Sequence, residues 1–218
     1  MMNKVLAEPE SVAEALRRNN MAAYCVKTKE EVVPLVKQLI PAGATVAVGG
    51  SVSLFESGVM ELLKSGEYRF LDRYAEGLTP EEQTAVFAKS LTADVFLCSA
   101  NAVTVAGELY NVDGRANRVA SLAYGPQSVI LVVGSNKIVE DIPAAVRRVK
   151  TVAAPLNAKR LNCQTYCAVN GRCIAAESDN CTDGCSSPDR ICAHYLISGR
   201  QRVKDRIQVI LVGESLGY

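Results

Sequence analysis

The run Ser128-Val129-Ile130-Leu131-Val132-Val133-Gly134 decides how this chain folds. Five consecutive aliphatic residues with no polar alternation read as a strand buried on both faces, the kind found in parallel sheets covered by helices. Working outward, the longest helical pattern follows at Asp141–Leu161. Upstream, Asp94–Cys98 and Thr45–Val48 are apolar runs of the same kind, Tyr68–Leu71 is a weaker one, and Met21–Val26 makes a first strand. Arg206–Val212 closes the series. Helical signals separate these runs. Residues 10–20 place Val12, Ala15 and Leu16 on one face, and Thr28 with Glu31 has capping-box spacing ahead of the stripe Val32, Leu35, Val36, Leu39, Ile40. Ser53 with Glu56 repeats that spacing, and Thr79-Pro80-Glu81-Glu82 adds proline at the first helical position. Strands alternating with helices predict an α/β fold with a mainly parallel sheet and helices on both faces.

Composition narrows the function. The 218 residues are enough for one substantial core; 49% are apolar and 22% charged, with a formal net charge of +1. Bulk charge therefore excludes a nucleic-acid binder, and the absence of Trp argues against a base-stacking surface. The opening MMNKVLAEPESVAEALRRNN has no continuous apolar stretch of the secretory type, and the longest apolar run is far too short to span a bilayer. The expectation is a cytoplasmic chain with no membrane or nucleic-acid partner. It is read as one domain over residues 1–218, with a Cys-rich insertion at 162–193 between the last helix and the last strand.

That insertion holds Cys163, Cys167, Cys173, Cys181, Cys185 and Cys192, six of the eight cysteines. Its remaining residues are mostly Asn, Gly, Ser, Asp and Pro, with little to bury against a backbone-ordering cost of roughly 1–2 kcal/mol per residue. Disulfides, zinc or an iron–sulfur cluster would each order it. A reducing cytoplasm disfavours disulfides, which leaves a coordinated metal as the preferred reading and uncoordinated thiols as its alternative. The C-x3-C pairs Cys163/Cys167 and Cys181/Cys185 suit zinc, and the repeated C-x2-C of ferredoxins is missing. Lys159, Arg160, Arg172 and Arg190 flank the block, as counter-charges to thiolates or as ordinary solvated cations. His194 is read as partly buried, Cys25 and Cys98 as core thiols, and Tyr124 and Pro126 as turn and packing residues.

In α/β sheets ligands bind beyond the carboxyl ends of the strands. Three such ends carry polar chemistry here. Gly49-Gly50-Ser51-Val52-Ser53 is a glycine turn entering a helix, suited to an anion and equally to a plain tight turn with a cap. It matches neither a Walker loop nor a dinucleotide fingerprint. The segment Ser99–Val119 gathers Asn101, Glu108, Asn111, Asp113, Asn117 and Arg118 around a turn expected at Asp113-Gly114, and Lys137 follows the strand at Gly134. Together these predict a site for a small anionic metabolite. Ser51 and Ser53 would hold it, Asn101, Asn111 and Asn117 orient it, and Arg118 and Lys137 neutralise it. Glu108 is the candidate acid/base or nucleophile.

The stretch NAVTVAGELYNVDGRANRVASLAYGPQSVILVVGSNKIVED, residues 101–141, resembles the LUD domain of lactate-utilisation proteins, in particular the LutC-like group. NVDG-x-x-NR and GPxxVILVVGxNK are its specific segments, and the turn at 49–51, the helix bearing Pro155, Asn157 and Arg160, and the cysteine block CAVNGRC…CSSPDRIC fit the same family. The resemblance implies a fold similar to the ribose-5-phosphate isomerase, glucosamine-phosphate deaminase and CoA-transferase group. It implies Cys167, Cys173, Cys185 and Cys192 as the core metal set, with Cys163 and Cys181 as extras. It also implies a link to oxidation of lactate to pyruvate, in which related subunits carry iron–sulfur clusters, but supplies no catalytic residue set for this short form. The alternative function is a non-catalytic zinc or iron–sulfur scaffold, or an electron-transfer subunit of an oxidation complex. Sheet edges of such folds often pair, which makes a homodimer the assembly to test.

Overall fold

The computed structural model describes residues 8–178 and 180–218. In chain order its elements are α1 (Pro9–Arg18), β1 (Ala22–Val26), α2 (Val32–Leu39), β2 (Thr45–Val48), α3 (Val52–Glu56), α4 (Val59–Lys64), β3 (Arg69–Leu71), α5 (Pro80–Ser90), β4 (Val95–Cys98), β5 (Ala102–Thr104), β6 (Leu109–Asp113), α6 (Asn117–Ala123), β7 (Ser128–Gly134), β8 (Ile138–Val139), α7 (Ile142–Arg148), α8 (Ala154–Arg160), α9 (Tyr166–Asn170), β9 (His194–Ser198) and β10 (Ile207–Val212). The main sheet runs β1-β10-β7-β4-β2-β3, parallel throughout, with β7 in its middle.

Both faces of that sheet are buried, and the side chains alternate between two cores. Ala47, Phe96, Cys98, Val129, Leu131, Val133, Val209 and Leu211 pack with α1 and α6. Val46, Val48, Val95, Leu97, Ile130, Val132, Ile210 and Val212 pack with α2, α3 and α4 on the other side. This is why Ser128–Gly134 reads as a continuous apolar run: successive residues feed opposite cores, and each core excludes water.

A second sheet, β8-β5-β6-β9, was not foreseen as such. Its strands β5 and β6 are short and almost wholly buried, so they lack the alternation that marks a half-exposed hairpin. The hairpin turns at Gly107, with φ +79°, where a methyl would stand 2.6 Å from the backbone of Ala15 and Leu16. The turn expected at Asp113-Gly114 joins β6 to α6. The outer face of this sheet packs Ala102, Tyr110, Val112 and Val139 against Ala145, Val146 and Val149, with Cys181 and Cys192 beside them.

Neither of the two expected capping boxes forms, whereas the helix start at Thr79 has one. Thr79 and Glu82 make theirs, each side chain accepting from the other's backbone N–H. Thr28 makes no capping bond, because a short 3-10 turn over Lys29–Glu31 delays the helix to Val32. Ser53 lies inside α3 rather than at its cap, and its hydroxyl turns into the core. The long helix expected over Asp141–Leu161 is continuous through α7 and α8, with a π turn at Val149–Ala153 between them. Pro155 accounts for that turn: it donates no N–H and crowds the preceding carbonyls, so the helix widens. Among the described residues no helix is long and apolar enough to cross a membrane.

Candidate functional site

A cleft of about 750 Å³ opens beyond the carboxyl ends of β2, β3, β4 and β7. The 188–191 stretch of the cysteine segment and the end of α8 form its opposite wall. Arg73, Arg115, Arg118, Lys137, Arg160 and Arg190 line it, against the carboxylates of Asp113 and Asp189. An excess of cations in a concave, partly desolvated space raises the potential felt by an anion.

Gly50 and Ser51 form the floor at the end of β2. A methyl on Gly50 would have Arg73 Nη1 and Tyr74 Oη as its nearest neighbours, both 3.8 Å away, so the backbone there is open to a ligand. Gly49 does a different job. A methyl on it would lie 2.9 Å from Arg118 Cδ and 3.1 Å from Cys98 Cβ, so its bareness lets the arginine stem lie against the strand end. Ser51 is the residue before α3, yet its hydroxyl caps nothing: Oγ is buried and makes no hydrogen bond. Arg73 shares that state at Nε, with its guanidinium 4.5 Å from the ring centre of Phe87 and 5.3 Å from that of Tyr74. Burial lowers its pKa, although a guanidinium remains charged. Arg73 was missed from sequence because β3 was read as a weak strand; a cation two residues past a strand end was the signal.

Arg118 is buried, and both of its terminal nitrogens are fully engaged. Nη1 donates to Ser99 O at 2.9 Å and to Asn111 Oδ1 at 2.6 Å, while Nη2 donates to Asn101 Oδ1 at 2.8 Å and to Val112 O at 2.7 Å. Asn101 Oδ1 also accepts from Val112 N, so two of the three amides expected to orient a ligand, Asn101 and Asn111, hold the arginine through their oxygens. Asp113 caps α6 through Oδ2, accepting from Arg118 N and Val119 N. The chain reaches that cap through Ala116 at φ +64°, a conformation costing a side-chain-bearing residue roughly 1–2 kcal/mol. Of the expected ligand residues, Gly50, Ser51, Asn101, Asp113, Asn117, Arg118 and Lys137 line the cleft, while Gly49, Ser53 and Asn111 stand behind it.

Lys137 is 3% exposed and sits at the cleft floor. Its Nζ donates to Ser53 Oγ at 2.8 Å and to Ser99 Oγ at 2.9 Å. Those hydroxyls in turn donate to Leu216 O and Ala100 O. Burial brings the ammonium pKa down to about 7, with Arg148 and Arg118 adding repulsion. Glu108 is elsewhere. It follows Gly107 at the far end of the β5–β6 hairpin, where Oε2 accepts from Thr104 Oγ1 at 2.9 Å, and it does not line the cleft. The hairpin separates it from the Asn101 and Asp113 end by its full length.

The cysteines divide between two places. Cys167, Cys173, Cys181, Cys185 and Cys192 line one small cavity of about 20 Å³ beneath Tyr110, Lys150 and Tyr195, whereas Cys163 faces the cleft. All are free thiols. The π turn helps build this chamber, since Lys150 O accepts from Cys173 N at 2.8 Å and Lys150 Nζ donates to Ser178 O and Asn180 O. Arg190 binds the carbonyls of Cys185 and Cys192 and the Tyr195 hydroxyl, so it organises the loop. Burial pushes the Cys192 thiol up, with Arg190 opposing. The donors have the right chemistry for a thiophilic metal. Their placement does not fit a single ion, because among the described residues no three His, Cys, Asp or Glu side chains are set to hold one together. His194, expected to be partly buried, is exposed on β9. Cys98 is core, but Cys25 is exposed on the edge strand β1. Tyr124 is 85% exposed and packs on nothing, whereas Pro126 is buried.

The LUD domain family model matches residues 9–212. A crystal structure of a DUF162 family protein from Deinococcus radiodurans superimposes with a TM-score of 0.51 at 20% identity, covering 94% of this chain and 95% of that one. No curated protein matches the sequence.

Proposed function

The chain belongs to the LUD domain family, and from that premise we propose that its cleft binds a small anionic metabolite through Ser51 and Arg73. One observation carries this reading. Ser51 Oγ and Arg73 Nε are buried donors without partners, and both belong to residues lining the same cleft. An unpaired buried donor costs about 1–3 kcal/mol, more for a charged group, so an acceptor arriving between them relieves both at once. A carboxylate or phosphate suits a guanidinium fork, and the open backbone at Gly50 gives it room. Arg118 takes no direct part; it supplies charge and fixes Ser99, Asn101 and Asn111.

The family's name directs the choice of ligand toward hydroxy and oxo acids, with lactate and pyruvate first, and toward a role as a subunit in lactate oxidation. The test is thermal unfolding of the full chain with inorganic phosphate, lactate, pyruvate or coenzyme A. A ligand at one hundred times its Kd raises native stability by about 2.7 kcal/mol. We expect at least one of the four to raise the melting temperature of the wild type and not of Arg73→Gln.

The cysteine chamber supports a second reading, a non-catalytic metal-binding or electron-transfer subunit. Five thiols lining one cavity favour it, and the iron–sulfur clusters carried by related subunits of lactate oxidation direct the choice toward a polynuclear cluster. When bound, such a cluster supplies electron transfer; Cys167, Cys173, Cys185 and Cys192 would hold it, with Cys181 beside them.

A further inference from the structure

We propose that Lys137 is a covalent anchor, forming a reversible imine with a small carbonyl compound that carries an anionic group. The inference deepens the cleft reading and rests on it for the anionic group. Its basis is the hydrogen-bond count at Nζ. Both hydroxyls beside the amine have committed their own hydrogens, Ser53 to Leu216 O at 3.2 Å and Ser99 to Ala100 O at 3.3 Å, so both accept from Lys137. A neutral amine has two N–H donors and one lone pair, so these two acceptors satisfy it fully and leave the lone pair free. An ammonium would carry a third N–H that finds no acceptor within hydrogen-bond reach among the described residues, none of whose carboxylates pairs with it.

The surroundings point the same way. The charged groups around Nζ are the cations Arg148 and Arg118, which disfavour the ammonium; Glu56 and Cys98 oppose them more weakly. Burial is the largest influence, and with these cations it places the pKa at about 7. At pH 7 an ordinary lysine is less than about 0.1% neutral, whereas this one is roughly half neutral. A desolvated lysine beside other cations is a recurrent way of making an amine nucleophilic. Ser51 and Arg73 line the same cleft, so an anionic group held there delivers an adjacent carbonyl carbon to the amine.

The step balances without a further reagent. The Nζ lone pair adds to the carbonyl carbon, and the carbonyl π pair moves to its oxygen. Both amine hydrogens then leave with that oxygen as one water, and a proton from solvent converts the imine to the iminium ion.

The test traps the adduct on the wild-type full chain with glyoxylate and cyanoborohydride at pH 7, located by peptide mass spectrometry. Inorganic phosphate binding is measured on the same preparation. We expect one carboxymethyl group on Lys137, at least about tenfold above exposed Lys64, Lys89 or Lys159, and none after Lys137→Arg. Phosphate binding with no label on Lys137, or with label spread evenly over exposed lysines, would overturn the imine and leave the anion site standing. Selective label on Lys137 without phosphate binding would keep the imine and remove the Ser51–Arg73 reading. Neither label nor phosphate binding would overturn both.

Discussion

Arg118 Nη1 donates to Asn111 Oδ1 across 2.6 Å inside the protein, so the arginine that closes the NVDG-x-x-NR segment is bound by its own chain. Four acceptors converge on its two terminal nitrogens, and the charge stays buried because each terminal N–H is matched. Lysine cannot reproduce that planar fork. Arg118→Lys should therefore lower stability by about 3 kcal/mol in urea unfolding, through carbonyl and amide acceptors left bare. A loss under about 0.5 kcal/mol would show that the network is not structural.

Gly49 and Gly50 are adjacent but should respond differently. Alanine at 49 meets Arg118 Cδ at 2.9 Å and Cys98 Cβ at 3.1 Å, an overpacking that costs about 1–3 kcal/mol. Alanine at 50 finds nothing nearer than 3.8 Å and should fold normally. Its methyl occupies the approach to Ser51 and Arg73, so anion binding should weaken while the melting temperature stays close to wild type. Equal melting temperatures for the two variants would contradict the division of labour.

Lys137 should leave a mark on the pH dependence of stability. Its folded pKa, about 7, lies below the unfolded value near 10.4, so between those limits the unfolded chain binds more protons. Stability therefore rises with pH from about 7, by at most about 1.4 kcal/mol per pH unit. Thiol titration reverses the trend at higher pH. Burial holds Cys98 up to about 11, so the unfolded state loses that proton first. Lys137→Met should abolish the rise between about pH 7 and 8.5, where thiols remain protonated. An unchanged slope would mean that the ammonium stays charged in the folded protein.

The cysteine chamber makes its own prediction. Protein purified without oxygen should carry iron and sulfide, and Cys192→Ser should lose them while phosphate binding in the cleft persists. Colourless protein with one zinc would contradict the polynuclear reading, and protein free of metal would remove the second function.

The main sheet was legible because β7, β4, β2 and β10 are buried on both faces, which writes them as unbroken apolar runs. The second sheet was not, since β5 and β8 are three and two residues long and their partner β9 lies beyond the cysteine segment. Strand ends drew attention to Ser51 and Lys137, and both line one cleft because the topology of parallel sheets brings those ends together. Sequence could not separate a ligand-facing cation from a structural one. Arg118 sits in the richest polar motif, yet its terminal nitrogens are taken by the chain itself, whereas Arg73 follows a weak short strand and keeps a buried Nε without a partner among the described residues. Glu108 shows the same limit: Asn101 and Val112, at the base of its hairpin, line the cleft, but the hairpin carries Glu108 to the other end. Clustering in sequence also grouped Cys163 with the other thiols, although it faces the cleft across from them.

The most direct measurement is calorimetric titration of inorganic phosphate, and of the best-stabilising organic acid, into wild type and Arg73→Gln at matched salt. The cleft reading predicts saturable binding to the wild type, weakened tenfold or more, about 1.4 kcal/mol, when the guanidinium is replaced. Equal affinity in the two proteins, or no binding to either, would contradict it.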